Sequence, residues 1–346
     1  MIFKSPLSLF TSKPCLSILF FLLSGWFLIL RNPFHLLLPI SIERSRSSLE
    51  VPTNKIESKS TNTTFYYRHA TEQRNSSYPF ISGDTFRAFS TYVFDETKWD
   101  KMSDLKFGDV VFLKGDLMKK FFDHHFRSIT QEFILVTHNS DVGAPGKYEN
   151  YLNEPKILHW FASNPTLKNH SKLSPIPIGL ANSRWIHGKL QMLHQAYENY
   201  RKPWRNRETL LYANFDVSTN RKEREKALSY AKTAVGDNLR IVQTRIPNEE
   251  YLKQVGNTKF VLSPAGNGLD CHRTWEALLM GAVPVLVSSP LDSLFENQPA
   301  VILKDWSSLN SSLLLSLDFR NYDNHLADVL KAEFWAERIN KYRLKS

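Results

Sequence analysis

Cysteine is almost absent from this chain: two occur in 346 residues, Cys15 in an apolar run and Cys271 in a loop with glycines. They are not expected to pair, so no disulfide framework is foreseen, and a chain of this length has core enough without one. No Cys/His cluster has zinc spacing, which argues against a structural metal. No Asp-x-Asp triplet occurs either, so one common way of offering two carboxylates to a divalent cation is missing. The basic residues outnumber the acidic ones, 44 to 34, yet they are scattered. No zinc-finger, homeodomain or RNA-recognition motif accompanies them, which excludes nucleic acid as the expected partner. The net charge of +10 leaves two readings: a solvated basic surface, or an anionic partner such as a nucleotide diphosphate, an acidic glycan or lipid headgroups. With 42% hydrophobic residues, the composition is that of a folded body and not of a disordered chain.

Charge is also missing from residues 15–30, CLSILFFLLSGWFLIL. Arg31, Asn32 and Pro33 interrupt, and FHLLLPI then continues to Ile40. Together the runs are long enough to span a bilayer. With no convincing small-x-small cleavage site behind them, an uncleaved signal anchor over 15–40 is preferred to a cleaved signal peptide. A short cytosolic tail, 1–14, precedes it. Lys4 and Lys13 stand before the run and Arg31, Arg44 and Arg46 after it, so flanking charge alone does not orient it. Residues 41–80 are polar, rich in Ser, Thr and charge, and lack apolar periodicity; they read as an exposed stem. Sequons at Asn62, Asn75, Asn169 and Asn310 permit a luminal body. Tail, anchor, stem and body form the layout of a single-pass type II protein of the Golgi or endoplasmic reticulum membrane.

The body alternates short apolar runs with longer periodic segments, the pattern of a parallel sheet covered by helices. Strands are predicted at 109–113, 133–137, 157–161 and 175–178. A basic connector, Tyr200 to Arg205, follows, and the pattern restarts. Strands at 209–213, 240–243, 259–263 and 283–287 alternate with helices at 221–234 and 247–255, the latter with Pro247 in its first turn. Two such series suggest an α/β chain of two Rossmann-like domains, 81–204 and 205–310. The remaining segment, 311–346, places Leu326, Leu330 and Ile339 at helical spacing over 324–342 and is expected to pack against the body.

The most informative stretch is KFVLSPAGNGLDCHRTWEALLMGAVPVLV, residues 259–287. It reads as a buried strand, a loop with Gly266 and Gly268, a helix over 272–280 stopped by Gly281, and a second buried strand. Glycines let backbone approach a ligand, and a helix N-terminus offers N–H groups and partial positive charge, which suits a diphosphate. Arg273 lies in the first helical turn, where the helix dipole disfavours a cation. An anion held between it and the loop would account for that. Glu276, three residues on, shares its face and can accept two hydrogen bonds from ribose hydroxyls. The plainer alternative is an i,i+3 salt bridge on a surface helix beside an ordinary turn.

This segment resembles the donor site of exostosin-like glycosyltransferases, family 47 and its relatives. The resemblance rests on Ser263, Pro264, Gly266, Arg273, Glu276, Ala277, Gly281, Pro284 and Val285 at fixed spacing. Upstream, LLYANFDVSTNRKERE is similar to the strand and Arg-bearing turn that open the same family's second domain, with Asn214, Asn220 and Arg221 facing the cleft. VTHNSD, HWFASN and PIPIGLANSRWIHG resemble the first half of one exostosin-like group. The resemblance covers roughly 105–305. It implies the GT-B fold, with two Rossmann-like domains facing a cleft, the donor on the second and the acceptor between them. It also implies transfer of a sugar from a nucleotide sugar to a glycan, glycoprotein or glycolipid. Asn214, Arg221, Ser263, Gly266, Asn267, Gly268, Arg273 and Glu276 become the donor-binding set. No cofactor beyond the nucleotide-sugar co-substrate is expected, and no metal, since the Asp-x-Asp motif of the other large transferase fold is missing; arginines and loop amides would neutralise the leaving diphosphate.

For a base that activates the acceptor, His138 and Asp141 are favoured, because strand C-terminal ends face the cleft in such sheets. His159 and His187 are alternatives, and a retaining enzyme would need no such base. A luminal sulfotransferase would share anchor, stem and charge, but LKGDLMKK, 113–120, lacks the turn pattern of a phosphate loop. A catalytically inactive glycan-binding membrane protein with a transferase-like body is the remaining alternative.

Overall fold

The computed structural model describes residues 74–343. The tail, the anchor and the stem up to residue 73 lie outside the described residues, as do all statements about membrane insertion. Among the described residues no helix is long and apolar enough to cross a membrane.

Two five-stranded sheets, each wholly parallel, organise the body. The first contains β1 (Tyr92–Phe94), β2 (Asp109–Lys114), β3 (Phe133–His138), β4 (Ile157–Ala162) and β5 (Leu173–Pro175). The second contains β6 (Thr209–Ala213), β7 (Leu239–Ile241), β8 (Thr258–Leu262), β9 (Val283–Val287) and β10 (Val301–Leu303). The helices are α1 (Gly83–Ala88), α2 (Met118–Lys120), α3 (Leu190–Tyr200), α4 (Arg221–Val235), α5 (Asn248–Gly256), α6 (His272–Leu279), α7 (Ser311–Ser316) and α8 (Ala332–Asn340). All described residues fall in one compact unit.

The sheets differ in order, and the difference locates the site. The first runs sequentially, β1-β2-β3-β4-β5, with no reversal. It is therefore not doubly wound in the Rossmann sense. The second runs β10-β9-β8-β6-β7. In local terms that is 2-1-3-4-5, the flavodoxin-like doubly wound order, whose switch point lies between its first and third strands, here β6 and β8. The crevice outside the carboxyl ends of β6 and β8 is where an open parallel sheet of this kind accepts a ligand.

Alternation along the strands builds the layers. Val110, Phe112, Ile134 and Val136 face one side of the first sheet; Val111, Leu113, Phe133 and Leu135 face the other. The latter side is covered by the connections between its own strands, through Met102, Met118, Phe121, Phe122 and Leu152. The former is covered by α1, α3 and α8, and this core runs on through α5 and α6 to Tyr212 and Val261 of the second sheet. On the outer side of the second sheet lie Ala227, Leu228, Ala231 and Val235 of α4, with Trp306 and Leu314. A shared helical layer thus lies between two sheets.

Several boundaries differ from those expected. The strand at 175–178 is shifted to Leu173–Pro175, and that at 240–243 to Leu239–Ile241. Pro247 is the N-cap of α5 and not a residue of its first turn. The helix foreseen over 324–342 is a 3-10 turn, Asp328–Leu330, followed by α8. Lys331, extended between them, breaks the run by pairing its backbone across Phe80. As expected, this segment packs against the body. It returns to the first sheet: Trp335 meets Phe86 edge-on at 6.0 Å, and Tyr342 stacks on His159 at 3.9 Å. Burying a large apolar side chain in this way contributes about 2 kcal/mol.

Candidate functional site

The loop 263–271 leaves β8 at the switch point and enters α6. Ser263 is buried, and its hydroxyl lies 2.8 Å from that of Thr274, joining the strand end to the helix. That hydroxyl is a fastening within the protein. The loop closes on itself through Gly266 N–H and the Gly268 carbonyl at 3.1 Å, leaving Asn267 exposed at its tip. Its glycines make room for protein side chains. A Cβ on Gly266 would stand 2.7 Å from Nη2 of Arg224. One on Gly268 would stand 3.0 Å from Oδ1 of Asn164 and 3.2 Å from Oδ1 of Asp141, both carried by the first half of the body.

Arg273 is 8% exposed. Its Nε donates to the Asn214 carbonyl and its Nη1 to the Pro264 carbonyl, each at 3.3 Å. Arg224 is 5% exposed; its Nε donates to the Ala265 carbonyl at 3.0 Å and its Nη1 to the Asp216 carbonyl at 2.5 Å. Both guanidinium groups lie over the ring of Phe215, at 4.7 Å and 5.4 Å. Burial, and then the neighbouring charge of Arg273, pull the Arg224 pKa below its ordinary value. Neither side chain forms an ion pair with a carboxylate; their polar partners are backbone carbonyls, together with the Cys271 thiol, 3.8 Å from Arg224. Two adjacent buried cations with no carboxylate in ion-pair contact are costly unless an anion completes the site. The start of α6, which no side chain caps, adds N–H groups on the same loop.

Arg221, expected to face this cleft, is corrected by this arrangement. Its side chain is 74% exposed and pairs with Glu225 along the outer face of α4. One helical turn on, Arg224 lies in phase with Ala227, Leu228 and Ala231 and reaches the loop instead. Asn214 does lie at the crevice, with its side-chain amide donating to the Val242 carbonyl at 3.0 Å. Asn220 holds the loop from the other side, donating to the Gly266 carbonyl at 3.0 Å.

Glu276 is buried behind Arg273, beside the Tyr251 hydroxyl. Burial pushes its carboxyl up to about 7, against the opposing pull of Tyr251 and Arg273. It has no ion pair with Arg273, so the surface salt-bridge reading of this pair does not describe it. A cavity of about 430 Å³ adjoins the loop on the β9 side, lined by Pro264, Ala265, Leu269, Asn220 and Trp306 among others. Arg273 and Glu276 do not line it; Arg273 reaches to the β6 side, where it bonds the Asn214 carbonyl, with Glu276 behind it.

The loop is fastened to the first half of the body. Asp270 is buried, and its carboxylate accepts from the Ile178 N–H at 2.7 Å, the Cys271 N–H at 2.8 Å and the Trp275 indole at 2.8 Å. Its own N–H donates to Oδ1 of Asn164 at 3.1 Å. His272 donates from Nδ1 to the Gly179 carbonyl at 2.8 Å, and burial lowers its pKa. Sequence reasoning passed over Arg224, Asp270 and His272.

His138 is corrected as a candidate base. It is enclosed in the core, where Nε2 donates to the Pro177 carbonyl at 3.0 Å and Nδ1 accepts the Asn139 N–H at 2.7 Å. Burial pulls its pKa down to about 4. Both nitrogens are engaged, so no lone pair is left for an acceptor hydroxyl. His159 is likewise buried, against Tyr342 and the Ser174 hydroxyl. Asp141 is exposed beside Gly268, at the loop. His187 is half-buried, 6.3 Å from the His272 ring. No protein-family model matches the chain, and no curated protein matches it.

Proposed function

We propose that this chain is a nucleotide-sugar-dependent glycosyltransferase of the GT-B type. The donor diphosphate lies in the crevice between β6 and β8, and the acceptor approaches from the first sheet. One observation carries the reading: Arg224 and Arg273, buried side by side with no carboxylate in ion-pair contact, at the switch point of a doubly wound sheet. Their fork-shaped donors suit a diphosphate, whose charge grows as the glycosidic bond breaks. Glu276 takes the ribose hydroxyls. Of the favoured bases Asp141 remains, and His272 joins it, its Nδ1–H held by Gly179 so that Nε2 is the basic nitrogen. The acceptor is a glycan or glycoconjugate. The apolar run at 15–40 would anchor the chain in the Golgi or endoplasmic reticulum membrane with the body luminal.

Titration of the full chain with a panel of nucleoside diphosphates tests the reading. One of them is expected to bind, and its affinity, like sugar transfer from the matching nucleotide sugar, is expected to survive a strong chelator, because guanidinium groups occupy the place of a cation. Activity abolished by chelation and restored by manganese would overturn the metal-independent mechanism.

Glu276 gives that binding a pH dependence. Its ionised form accepts two hydroxyl hydrogen bonds, and its protonated form must give up one of those acceptors. With the free carboxyl at about 7, donor binding favours loss of its proton. Affinity should therefore rise between pH 6 and pH 8, by up to about tenfold per unit below the pKa. Glu276→Gln should flatten the profile. The ligand's own phosphate ionisation is common to both proteins, so equal slopes would refute the role.

A further inference from the structure

We propose that Trp185, on the turn between β5 and α3, is the platform on which a pyranose ring of the acceptor stacks. The proposal rests on the transferase reading above and adds a binding subsite to it. Trp185 is 52% exposed, and the adjoining Ile186, at 75%, is the most exposed large apolar side chain among the described residues. Large apolar side chains displayed together mark a contact surface more often than a scattered single one does.

The turn that displays them is tightly held. The Trp185 N–H donates to the Asn182 carbonyl at 2.9 Å, and the Gly188 N–H to the Trp185 carbonyl at 3.0 Å. A Cβ on Gly188 would stand 2.2 Å from the Asn182 carbonyl oxygen, so the turn closes this tightly only with glycine there. Asn182 is itself fixed, accepting from the Asp84 N–H at 2.8 Å and donating to Oδ1 of Asn139 at 3.0 Å. A rigid turn thus pays no ordering cost when its indole is covered, and tryptophan supplies wide contact with few rotatable bonds.

Position selects the occupant. The same chain segment carries Ile178 and Gly179, which bond the donor loop at Asp270 and His272. From Trp185 to His187 the ring centroids are 6.5 Å apart at 19°, and from His187 to His272 they are 6.3 Å apart. The indole therefore stands two rings away from the first residue of α6. The Arg184 guanidinium lies over the Trp185 ring, 5.4 Å from its centroid, and Arg245 is close enough to His187 to help lower its pKa. An exposed indole with guanidinium donors close by complements a pyranose, which presents C–H groups on its face and hydroxyls around its edge. Trp99, exposed to the same degree, is covered more closely: the Lys120 ammonium sits 3.3 Å over its ring and Phe94 stacks against it at 5.4 Å.

The test uses the detergent-solubilised full chain on a printed array of pyranose oligosaccharides of defined linkage, with a nucleoside diphosphate titration run in parallel. The wild type is expected to bind at least one oligosaccharide. Trp185→Ala should weaken that binding by about ten- to a hundredfold, and Trp185→Phe by only about threefold, since a smaller ring keeps part of the stacking. Nucleoside diphosphate affinity and melting temperature should stay unchanged in both variants. Retained oligosaccharide binding in Trp185→Ala, or no oligosaccharide binding by the wild type, overturns the proposal alone. So does loss of phosphatidylcholine vesicle binding in Trp185→Ala with the array signal intact, which would assign the turn to a membrane surface. Absence of any nucleoside diphosphate binding overturns the transferase reading and this proposal together.

Discussion

Arg273→Ala is expected to raise the dissociation constant for the cognate nucleoside diphosphate by about ten- to a hundredfold, as is Arg224→Ala. Hydrogen bonds to charged groups contribute roughly 1.5–3 kcal/mol, and neither guanidinium has a carboxylate in ion-pair contact. The double variant should fall short of the product of the two, because removing either cation relieves its neighbour of like-charge repulsion. Arg273→Ala should also slow transfer, since charge on the diphosphate grows in the transition state. Arg273→Lys should recover part of the affinity but not the two-pronged contact. Stability should respond differently. The ligand-free alanine variants should lose only about 1 kcal/mol, because relief of the repulsion between the two cations offsets most of what their bonds to carbonyls contribute. A purely structural role for the pair predicts the reverse: a lowered melting temperature with donor affinity intact. Calorimetric titration beside thermal melts separates the two, and wild-type affinity in a folded Arg273→Ala protein would refute the site.

The contrast between Arg221 and Arg224 shows what could be read from the sequence here. Both stand in NRKERE, and both could have been assigned to the cleft. The deciding signal is phase: Arg224 shares the spacing of Ala227, Leu228, Ala231 and Val235, so it is a cation on the apolar face of its helix. The strands at 209–213 and 283–287 were fully legible because they are short apolar runs between breakers. Three-residue strands such as Tyr92–Phe94 and Val301–Leu303 carry too little pattern, and their place is set by neighbours. Sheet order was not legible at all: the sequential first sheet and the switched second one arise from equally alternating patterns. His138 was misread because β3 runs one residue further than expected, pairing with Lys114, and then meets the Pro177 carbonyl from the segment that follows β5. The loop 263–271 was recognisable as a site, but its glycines had another use. They admit Arg224 from one side and Asn164 and Asp141 from the other, contacts that no local pattern encodes.

Asp270→Ala should give the largest loss of stability of any single change in the loop. The carboxylate gathers three donors: the Ile178 and Cys271 N–H groups and the Trp275 indole. Deleting it leaves all three buried or half-buried without a partner, at about 1–3 kcal/mol for each donor that water cannot reach. A net cost of about 3–5 kcal/mol is expected, and it should fall on the joint between the two sheets, because Ile178 belongs to the first half and Trp275 to α6. Asp270→Asn should cost less, since its oxygen keeps two of the donors, while its amide turns N–H toward N–H at the third. The two variants also differ from wild type in their pH dependence. Burial pushes the Asp270 carboxyl up to about 7, so between the ordinary carboxylate range and about pH 7 the folded state holds a proton that the unfolded state has lost. Stability linked to Asp270 is then fully present below the unfolded pKa and declines as pH rises to about 7. Asparagine does not titrate. The stability deficit of Asp270→Asn should therefore be wider at pH 5 than at pH 8. Denaturant unfolding at those two pH values measures it; a deficit that widens with rising pH would mean that the three donors hold Asp270 ionised throughout.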